Sequence, residues 1–566
     1  MPNTRPFLLL AVLFVGYLLW QQWQTDYAAP LSVNTPAAMA NTAGGDTAKA
    51  VPNDVPAAPG EIPKPALDAV TTTSPATTAP AQLINITTDV FNISIDTRGG
   101  AIVRADLRAY PIAPKETDHP VRLLSDDATN FFIAQSGLVS AASPAPDHQA
   151  QFSADKTEYT LADGSDTLEV PLTWTDASGI KVRKVYKFTR AGYAIEQREE
   201  INNASATPWS GSEYRQLQRL PVVIVSSGFS FSNPEKFAFA GAAWYSPQDK
   251  FQKLGFDKYA ATPLNKTITG GWVGMLQHYF FAAWVPKADE ADQYSTAVVT
   301  NAGAPRYLIR SMSPAITVAP GESKSFDARL YIGPKLQSTL ATVAPGLELT
   351  VDYGMFTVIS DPLHWILSEI HRFVGNWGFS IILLVVLIKL AFFKLSEAQF
   401  KSSAKMKKVQ PRLAALKERY GDDKQKLNAA MLELYQKEKI NPVSGCLPML
   451  VQFPVFLALY WVLLESVELR QAPFMLWIQN LSAPDPYFVL PILNAGVMLA
   501  TQFLTPTVGM DPTQAKMMKA MPVMMAVMFA FFPAGLVLYW TVNGGLSLLQ
   551  QYVITKRIES GAIAVA

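Results

Sequence analysis

The chain has 566 residues, and its 47 basic and 46 acidic residues leave a formal net charge of +1. That balance argues against a protein whose whole surface binds nucleic acid, and the single cysteine, Cys446, excludes an internal disulfide. A hydrophobic content of 49% averages two materials, because the apolar residues are concentrated near the two ends. The composition predicts a membrane protein with a large water-soluble part.

The first apolar segment, residues 6 to 25, is uncharged and follows Arg5. It fits a signal peptide or a signal anchor. We interpret residues 1 to 27 as an uncleaved transmembrane anchor, because the apolar core is longer than a typical signal peptide core. Residues 28 to 80 are rich in Ala, Pro and Thr and contain no aromatic residue. This segment has too few apolar side chains to fold, which predicts a disordered tether.

Beyond the tether, short runs of alternating polar and apolar residues are separated by turns rich in Gly, Asp and Asn. Residues 91 to 95 alternate before a turn at residues 97 to 100, and residues 168 to 174 alternate after a turn at residues 163 to 166. A period of two is typical of strands with one buried face. The pattern predicts a large all-β domain over residues 81 to 345, an antiparallel sandwich rather than β-α-β units.

The chain then changes to helical periodicity. Asp361 and Pro362 form an N-cap and first-turn pair that predicts an amphipathic helix over residues 361 to 372, lying in the membrane surface. Packing of this helix against the β domain is the alternative. The next segment, residues 373 to 393, is apolar except for Lys389. A lysine deep in a bilayer costs about 2.5 to 3.5 kcal/mol, so Lys389 either faces a wet, functional cavity or extends its ammonium to the headgroups.

A basic segment follows this apolar helix. Residues 401 to 439 contain eleven basic and five acidic residues, and the positive-inside rule therefore places them in the cytoplasm. Their apolar residues repeat at three and four on either side of Gly421-Asp422-Asp423, which predicts an antiparallel helical hairpin. The basic face of this hairpin either contacts ribosomal RNA or anionic lipid, or is simply solvated.

Further uncharged runs occupy residues 440 to 464, 486 to 510 and 520 to 555. The last run exceeds one span of about 20 residues, and residues 532 to 535 (FPAG) supply a break. Basic residues flank both ends of that run, so it is expected to cross twice. The prediction is six transmembrane helices with both termini in the cytoplasm and residues 24 to 357 in the periplasm.

The predicted membrane segments have the following bounds: a second transmembrane helix at 373 to 395, a cytoplasmic hairpin at 396 to 440, four further helices within 441 to 555 (about 446 to 465, 486 to 505, 520 to 532 and 534 to 555), and a cytoplasmic tail at 556 to 566.

This topology places three polar side chains at one depth. Lys389, Gln452 and Gln502 each lie about 6 to 9 Å from the cytoplasmic end of their helix, at 1.5 Å per residue. Each glutamine by itself is better explained as a hydrogen-bond partner between helices. Together the three residues predict a hydrophilic pocket that is open to the cytoplasm and closed on the outer side by Leu and Phe.

Four stretches closely resemble the YidC/Oxa family of membrane protein insertases. They are GNWGFSI at 375 to 381, NPVSGCLPMLVQFPVFLALYW at 441 to 461, VELRQAPFMLWIQNLSAPDPY at 467 to 487 and FPAGLVLYW at 532 to 540. The likeness spans the whole chain: anchor, tether, periplasmic β domain and a five-helix insertase core. It matches the six-helix arrangement of Gram-negative members.

The resemblance implies an insertase and chaperone that inserts and folds other proteins in the bacterial inner membrane, alone or beside the Sec translocon and its accessory subunits. Its partners would be nascent membrane proteins and the lipid bilayer. The ribosome is a further candidate partner, which would contact the basic hairpin at residues 401 to 439. Lys389 occupies the groove position where the family usually has arginine, and lysine lacks the planar fork of arginine. The implied groove residues are Lys389, Gln452, Gln502 and Trp540, and the implied substrate contacts are Phe453, Pro454, Met521, Phe532 and Tyr539.

The chain has no P-loop, GxGxxG or HExxH motif and no histidine cluster, so we expect no cofactor, no metal and no chemical reaction. Insertion of about 20 apolar residues at roughly −0.3 to −0.6 kcal/mol each is already downhill, and the barrier is the polar tail that must cross. Two other functions stay open. One is an anchored periplasmic carbohydrate-binding or carbohydrate-modifying protein, and the other is a transporter, although the uncharged runs contain no Asp or Glu.

Overall fold

The computed structural model of the chain describes residues 54 to 57, 82 to 221 except 115 and 117, 238 to 301, 304 to 421, 423 to 438, 447 to 504 and 512 to 560. The predicted anchor, most of the predicted tether and most of the predicted C-terminal tail lie outside the described residues. Within them, a β domain is followed by a helical region.

The strands of the β domain begin at Leu83 and end at Pro334. Their bounds are β1 Leu83–Thr87, β2 Phe91–Asp96, β3 Ala101–Pro111, β4 Pro120–Leu124, β5 Phe132–Val139, β6 Ser153–Ala154, β7 Glu158–Thr160, β8 Thr167–Thr175, β9 Ile180–Thr189, β10 Ala194–Asn203, β11 Trp209–Arg219, β12 Gly241–Ser246, β13 Lys250–Gly255, β14 Asn265–Thr269, β15 Trp272–Leu276, β16 Phe280–Pro286, β17 Ala291–Asn301, β18 Ala304–Met312, β19 Ile316–Val318 and β20 Ser323–Pro334.

These strands form two sheets. The eleven-stranded sheet has the order β14-β17-β18-β11-β5-β3-β2-β1-β7, with β19 beside β11 and β4 beside β3, and the nine-stranded sheet has the order β13-β12-β15-β16-β20-β10-β9-β8-β6. The β1–β7 pair is parallel, and the other described pairs are antiparallel. Ile93 and Leu217 from the first sheet share one buried cluster with Val182 and Ile201 from the second. The predicted β-sandwich is confirmed.

Charged side chains are also buried between the sheets. Lys184 Nζ donates to the carbonyl oxygen of Ser136 at 3.0 Å and lies 3.6 Å from Glu199 Oε2. Arg215 Nη2 lies 2.5 Å from Glu213 Oε2. All four charged side chains are fully buried. The alternating pattern alone did not predict this, because a charged residue inside a strand is normally assigned to the solvent face.

The helical region contains nine helices in the described residues. Their bounds are α1 Gln337–Val343, α2 Thr357–Val374, α3 Trp377–Ala391, α4 Phe393–Tyr420, α5 Lys424–Lys437, α6 Leu447–Glu465, α7 Val489–Leu504, α8 Pro512–Phe529 and α9 Ala534–Glu559.

The predicted helix over residues 361 to 372 begins four residues earlier, at Thr357. Pro362 therefore lies inside α2 rather than at its first position. A short 3₁₀ turn over Gly354–Phe356 leads directly into the helix, and the helix continues past the proline at the cost of one backbone hydrogen bond. Leu363 and Leu367 are buried on the predicted apolar face, whereas Trp365 is exposed.

The basic segment forms two helices around the predicted turn. α4 ends at Tyr420, and Asp423 caps α5 by accepting hydrogen bonds from the backbone N–H groups of Gln425 and Lys426 at 3.1 Å. An ion pair between Arg412 and Glu438 links the two helices. The two helices lie on either side of the predicted turn, and the cytoplasmic hairpin stays a prediction.

The described helices differ in how closely their length and apolar composition match a bilayer span. In the described ranges, no single helix is both long and apolar enough for a bilayer span, but α3 together with Phe393–Ser402 of α4 qualifies as a pair bent by 65°. The predicted single helix over residues 373 to 395 is thus broken at Phe392. Shorter apolar helical stretches cover Gln452–Glu465, Val489–Phe503 and Ala520–Phe529.

The β domain contacts the C-terminal end of α6 and the residues that follow it. Val467, two residues after α6 ends, is buried in the apolar cluster of the sandwich. His278, in the β15–β16 turn, places Nε2 at 3.1 Å from the Leu464 carbonyl oxygen. Arg470 Nη2 donates to the Pro111 carbonyl oxygen at 2.9 Å. The sandwich therefore holds the C-terminal end of α6.

Candidate substrate groove

Lys389 lies in the last turn of α3, and its side chain points toward α9. The residue is only 6% exposed, and Nζ donates to Ser547 Oγ at 2.7 Å. Ser547 in turn donates to the Asn543 carbonyl oxygen at 2.8 Å. The ammonium thus contacts a neighbouring helix, and the expected pocket, open to water at this residue, appears in the structure as a closed polar contact.

Gln452 reaches the same stretch of α9 from α6. Its Nε2 donates to Asn543 Oδ1 at 3.0 Å. Asn543 and Ser547 are four residues apart, so they lie on one face of α9. Through these two residues α9 connects α3 with α6. The polar cluster consists of Lys389, Gln452, Asn543 and Ser547.

Aromatic side chains lie about one helical turn from the polar cluster. Phe456 follows Gln452 by four residues, or about 6 Å along the helix. Its ring packs edge-on against Trp540 with centroids 4.7 Å apart and stacks on Tyr539 at 6.0 Å. Phe529 of α8 contacts the other side of Trp540 at 5.2 Å. These contacts join α6, α8 and α9 into one aromatic wall.

Trp540 carries an indole N–H that is buried and has no hydrogen-bond partner among the described residues. A buried donor without an acceptor carries a desolvation penalty of about 1 to 3 kcal/mol.

An apolar cavity of about 340 Å³ opens beside the aromatic wall. Its volume falls in the range of small-ligand clefts and suits a few large side chains of a helical segment. Its lining comes from α6, α8, α9 and the turn between the last two: Phe456, Leu457, Tyr460, Leu464, Met528, Phe529, Phe532, Pro533, Leu536 and Trp540.

The N-terminus of α9 is hydrogen-bonded to the segment that follows α6. Backbone N–H groups of Ala534 and Gly535, which begin α9, donate to the carbonyl oxygens of Ala483 at 2.7 Å and Leu481 at 2.8 Å. These bonds satisfy donors that a helix N-terminus otherwise leaves unpaired. The apolar cavity therefore reaches Pro533 at the start of α9, and the polar cluster lies about one helical turn beyond the aromatic wall.

The structure brings some of the implied site residues together and not others. Lys389 and Gln452 meet through α9, and Phe532 and Trp540 both line the cavity. Gln502 lies half-buried near the end of α7, a helix that packs against α9. The implied substrate contacts Tyr539, Phe453, Met521 and Pro454 do not line the cavity. Tyr539 is 2% exposed, and its ring stacks on Phe456. Phe453 is 50% exposed and Met521 is 44% exposed, whereas Pro454 is half-buried inside α6.

Sequence reasoning missed Asn543, Ser547 and Phe456. The signal for the first two was present, because a polar pair spaced by four residues in an otherwise apolar helix indicates a helix–helix contact. Phe456 carried no signal, since one more aromatic residue in an apolar span is indistinguishable from a lipid-facing one.

Comparisons with known proteins agree with this architecture. Residues 83 to 366 match the family model for the YidC periplasmic domain, and residues 369 to 561 match the model for the 60Kd inner membrane protein. A membrane protein insertase YidC from Thioalkalivibrio sulfidiphilus is 48% identical over 99% of both chains. One from Stenotrophomonas maltophilia is 47% identical over 98% of this chain and 97% of its own.

Among solved structures, an active YidC insertase with its first transmembrane domain resolved is 17% identical, spans 84% of this chain and 94% of its own, and aligns with a TM-score of 0.37.

The fold and the two matched regions define a bacterial inner-membrane protein with a periplasmic β-sandwich domain. More narrowly, the chain belongs to the YidC family of membrane protein insertases. Of the three functions that the sequence left open, this family favours the insertase.

Proposed function

We propose that this protein inserts other proteins into the bacterial inner membrane, and that the groove between α3, α6, α8 and α9 receives the entering segment. The observation that carries the proposal is the placement of Lys389. Its ammonium is buried and bonded to a neutral hydroxyl, with no carboxylate partner among the described residues, and the aromatic wall begins about one turn away. A buried cation without a counter-ion is costly, and such residues usually serve a function.

The two ends of the groove would treat two parts of a substrate differently. The polar tail that must cross the membrane would contact the polar cluster, where a carboxylate can replace Ser547 as acceptor, because charge-assisted hydrogen bonds are stronger than neutral ones. The apolar segment would pack against the aromatic wall and the cavity, then leave sideways into lipid. Insertion would need no nucleotide hydrolysis, because burial of the apolar segment in lipid is favourable. The groove would lower the free-energy barrier for moving the polar tail across the membrane.

The proposed topology has six transmembrane helices, both termini in the cytoplasm and residues 24 to 357 in the periplasm. Its support is the basic composition of residues 401 to 439 and the positive-inside rule. The hairpin of α4 and α5 would then face the cytoplasm, where ribosomes and nascent chains are found. Cooperation with the Sec translocon is proposed on the family resemblance.

Reconstitution tests the function directly. The purified chain in liposomes should protect a small single-span substrate from external protease, whereas protein-free liposomes should not. Equal protection in both preparations would contradict the proposal.

Photo-crosslinking tests the site. A photoreactive phenylalanine analogue at Phe532, which lines the cavity, should crosslink to an arrested substrate. The matched control is the same analogue at Leu549, which is 57% exposed on α9 and should crosslink weakly. Stronger crosslinks from Leu549 than from Phe532 would place the substrate outside the groove.

A further inference from the structure

A short piece of the predicted tether contacts the β domain. Asp54 Oδ1 lies 3.1 Å from His148 Nε2, and Arg310 Nη2 donates to the Asp54 backbone carbonyl at 2.9 Å. Val55 packs against an apolar cluster that includes Val139 and Tyr214. These partners come from β5, β11, β18 and the loop after β5, so the contact is made with the eleven-stranded sheet. At this point the chain departs from the uniformly disordered tether that its composition predicts.

Hydrogen bonds hold the ring of His148 with one nitrogen facing Asp54. The backbone N–H of His148 donates to Tyr214 Oη at 3.0 Å, and His148 Nδ1 lies 2.6 Å from the same hydroxyl oxygen. Nε2 is therefore the ring nitrogen that faces the Asp54 carboxylate, at 3.1 Å. A proton on Nε2 lets the ring donate to that carboxylate.

Two glycines make this arrangement possible. A Cβ on Gly99, which has a φ of +71°, would lie 2.2 Å from the His148 carbonyl oxygen. A Cβ on Gly137 would lie 2.8 Å from Tyr214 Oη and 2.9 Å from the His148 backbone nitrogen. Both contacts are shorter than side chains tolerate, so the backbone at both positions is shaped to admit His148.

The electrostatics favour a carboxylate at this place. Burial by itself raises the pKa of Asp54, but the hydrogen bond from His148 and the nearby charges of His148 and Arg310 outweigh it and hold that pKa below its usual value. Burial also lowers the pKa of Arg310, and Asp54 partly offsets that effect. Each side of the contact therefore stabilises the charged form of the other.

We propose that this surface is a binding site for a peptide in which an acidic residue precedes an aliphatic one, and that its occupant is the segment Asp54-Val55-Pro56 of the same chain. The occupant divides the tether, so that only residues 28 to 53 connect the predicted anchor to the point of attachment. A flexible chain of about 26 residues has a root-mean-square length of roughly 30 Å, against roughly 40 Å for about 55 residues. Docking at this site would therefore shorten the free length of chain between the predicted anchor and the β domain.

The tether contains a second sequence of the same form, Glu61-Ile62-Pro63, which serves as a built-in control. The test uses the full chain in membranes with Cys446→Ser, so that the introduced cysteines are the only ones. Met312, which packs with Val55 in the same cluster, is replaced by cysteine and paired either with Val55→Cys or with Ile62→Cys. A short bismaleimide then joins cysteines that lie close together.

The Val55→Cys pair should crosslink about tenfold more efficiently than the Ile62→Cys pair, since a docked residue has a far higher effective concentration than a merely tethered one. Adding Asp54→Ala should reduce that crosslink about tenfold, because a hydrogen bond to a charged group is lost. Asp54→Ala changes a tether residue, and an unchanged unfolding temperature of the β domain would verify that the receiving surface is intact.

Two results would overturn the proposal. Equal or greater crosslinking from Ile62→Cys would show that Asp54-Val55-Pro56 is not the occupant. An undiminished crosslink after Asp54→Ala would show that the surface does not recognise a carboxylate.

Discussion

Reversing the charge at residue 389 should block insertion of substrates with an acidic tail and spare those with a neutral tail. In the structure, Lys389 Nζ donates to a neutral acceptor, Ser547 Oγ at 2.7 Å, and has no carboxylate partner among the described residues. A carboxylate on the incoming tail would therefore act as its counter-ion. Two unit charges 4 Å apart interact by about 1 kcal/mol in water and about 4 kcal/mol at an effective dielectric of 20. An intermediate value of about 2 kcal/mol corresponds to roughly a 30-fold change in rate.

Three variants separate charge from shape. Lys389→Arg keeps the charge and should retain insertion. Lys389→Met keeps the length of the side chain and should slow insertion of the acidic tail by roughly 30-fold. Lys389→Glu replaces attraction with repulsion of similar size, so its effect should be larger still.

The assay uses liposomes containing each variant and two substrates that share one apolar segment. One substrate has two Asp residues in its tail, and the other has two Asn residues at the same positions. The ratio of their insertion rates cancels differences in folding and reconstitution between variants. If this ratio is the same for Lys389→Glu and the unchanged protein, the ammonium does not act on the tail and the proposed mechanism is wrong.

Three further predictions concern stability. Gln452→Leu should lower the unfolding free energy in detergent by about 0.6 to 1.7 kcal/mol, the usual value of a hydrogen bond between membrane helices. Adding Asn543→Leu should lower the unfolding free energy little further, because the hydrogen bond is already lost. A double-mutant cycle measures this. His278→Ala should lower the melting temperature because the Leu464 carbonyl oxygen loses its donor, whereas His278→Gln should restore much of it; equal losses in both would contradict a hydrogen-bonding role. Burial raises the pKa of Glu199 to about 7, so the folded protein holds a proton that the unfolded chain releases, and this contribution to stability is lost as pH rises from about 4.5 to 7. Glu199→Gln should therefore gain stability relative to the unchanged protein across that window, and a pH-independent difference in melting temperature would refute the assignment.

Local signals in the sequence were sufficient for several elements. Period-two alternation over residues 91 to 95, before the turn at residues 97 to 100, predicted β2, because strand periodicity and turn chemistry are set by neighbouring residues. Asp423, part of the predicted turn, lies directly before α5 and caps it. The proline at 533 falls between α8 and α9, where the break was predicted.

Local signals failed where a competing local structure intervened. Asp361 and Pro362 have the composition of a helix start, but the 3₁₀ turn before them begins the helix earlier. Phe392 has no feature of a helix breaker, yet the chain bends by 65° there, and no property of the sequence at that residue accounts for the bend.

The sequence by itself determined the class of the protein, the boundary between its water-soluble and apolar parts, and the importance of one charge in an apolar helix. Those conclusions depend on composition and on periodicity over a few residues, which are properties of a chain segment. The tertiary structure alone decided what that charge contacts. Lys389 and Ser547 are separated by 158 positions, and Gln452 and Asn543 by 91, so each pair exists only because the helices pack together. The same holds for Lys184 and Glu199, which look like solvent-facing residues in the sequence and are buried because the eleven-stranded sheet covers them.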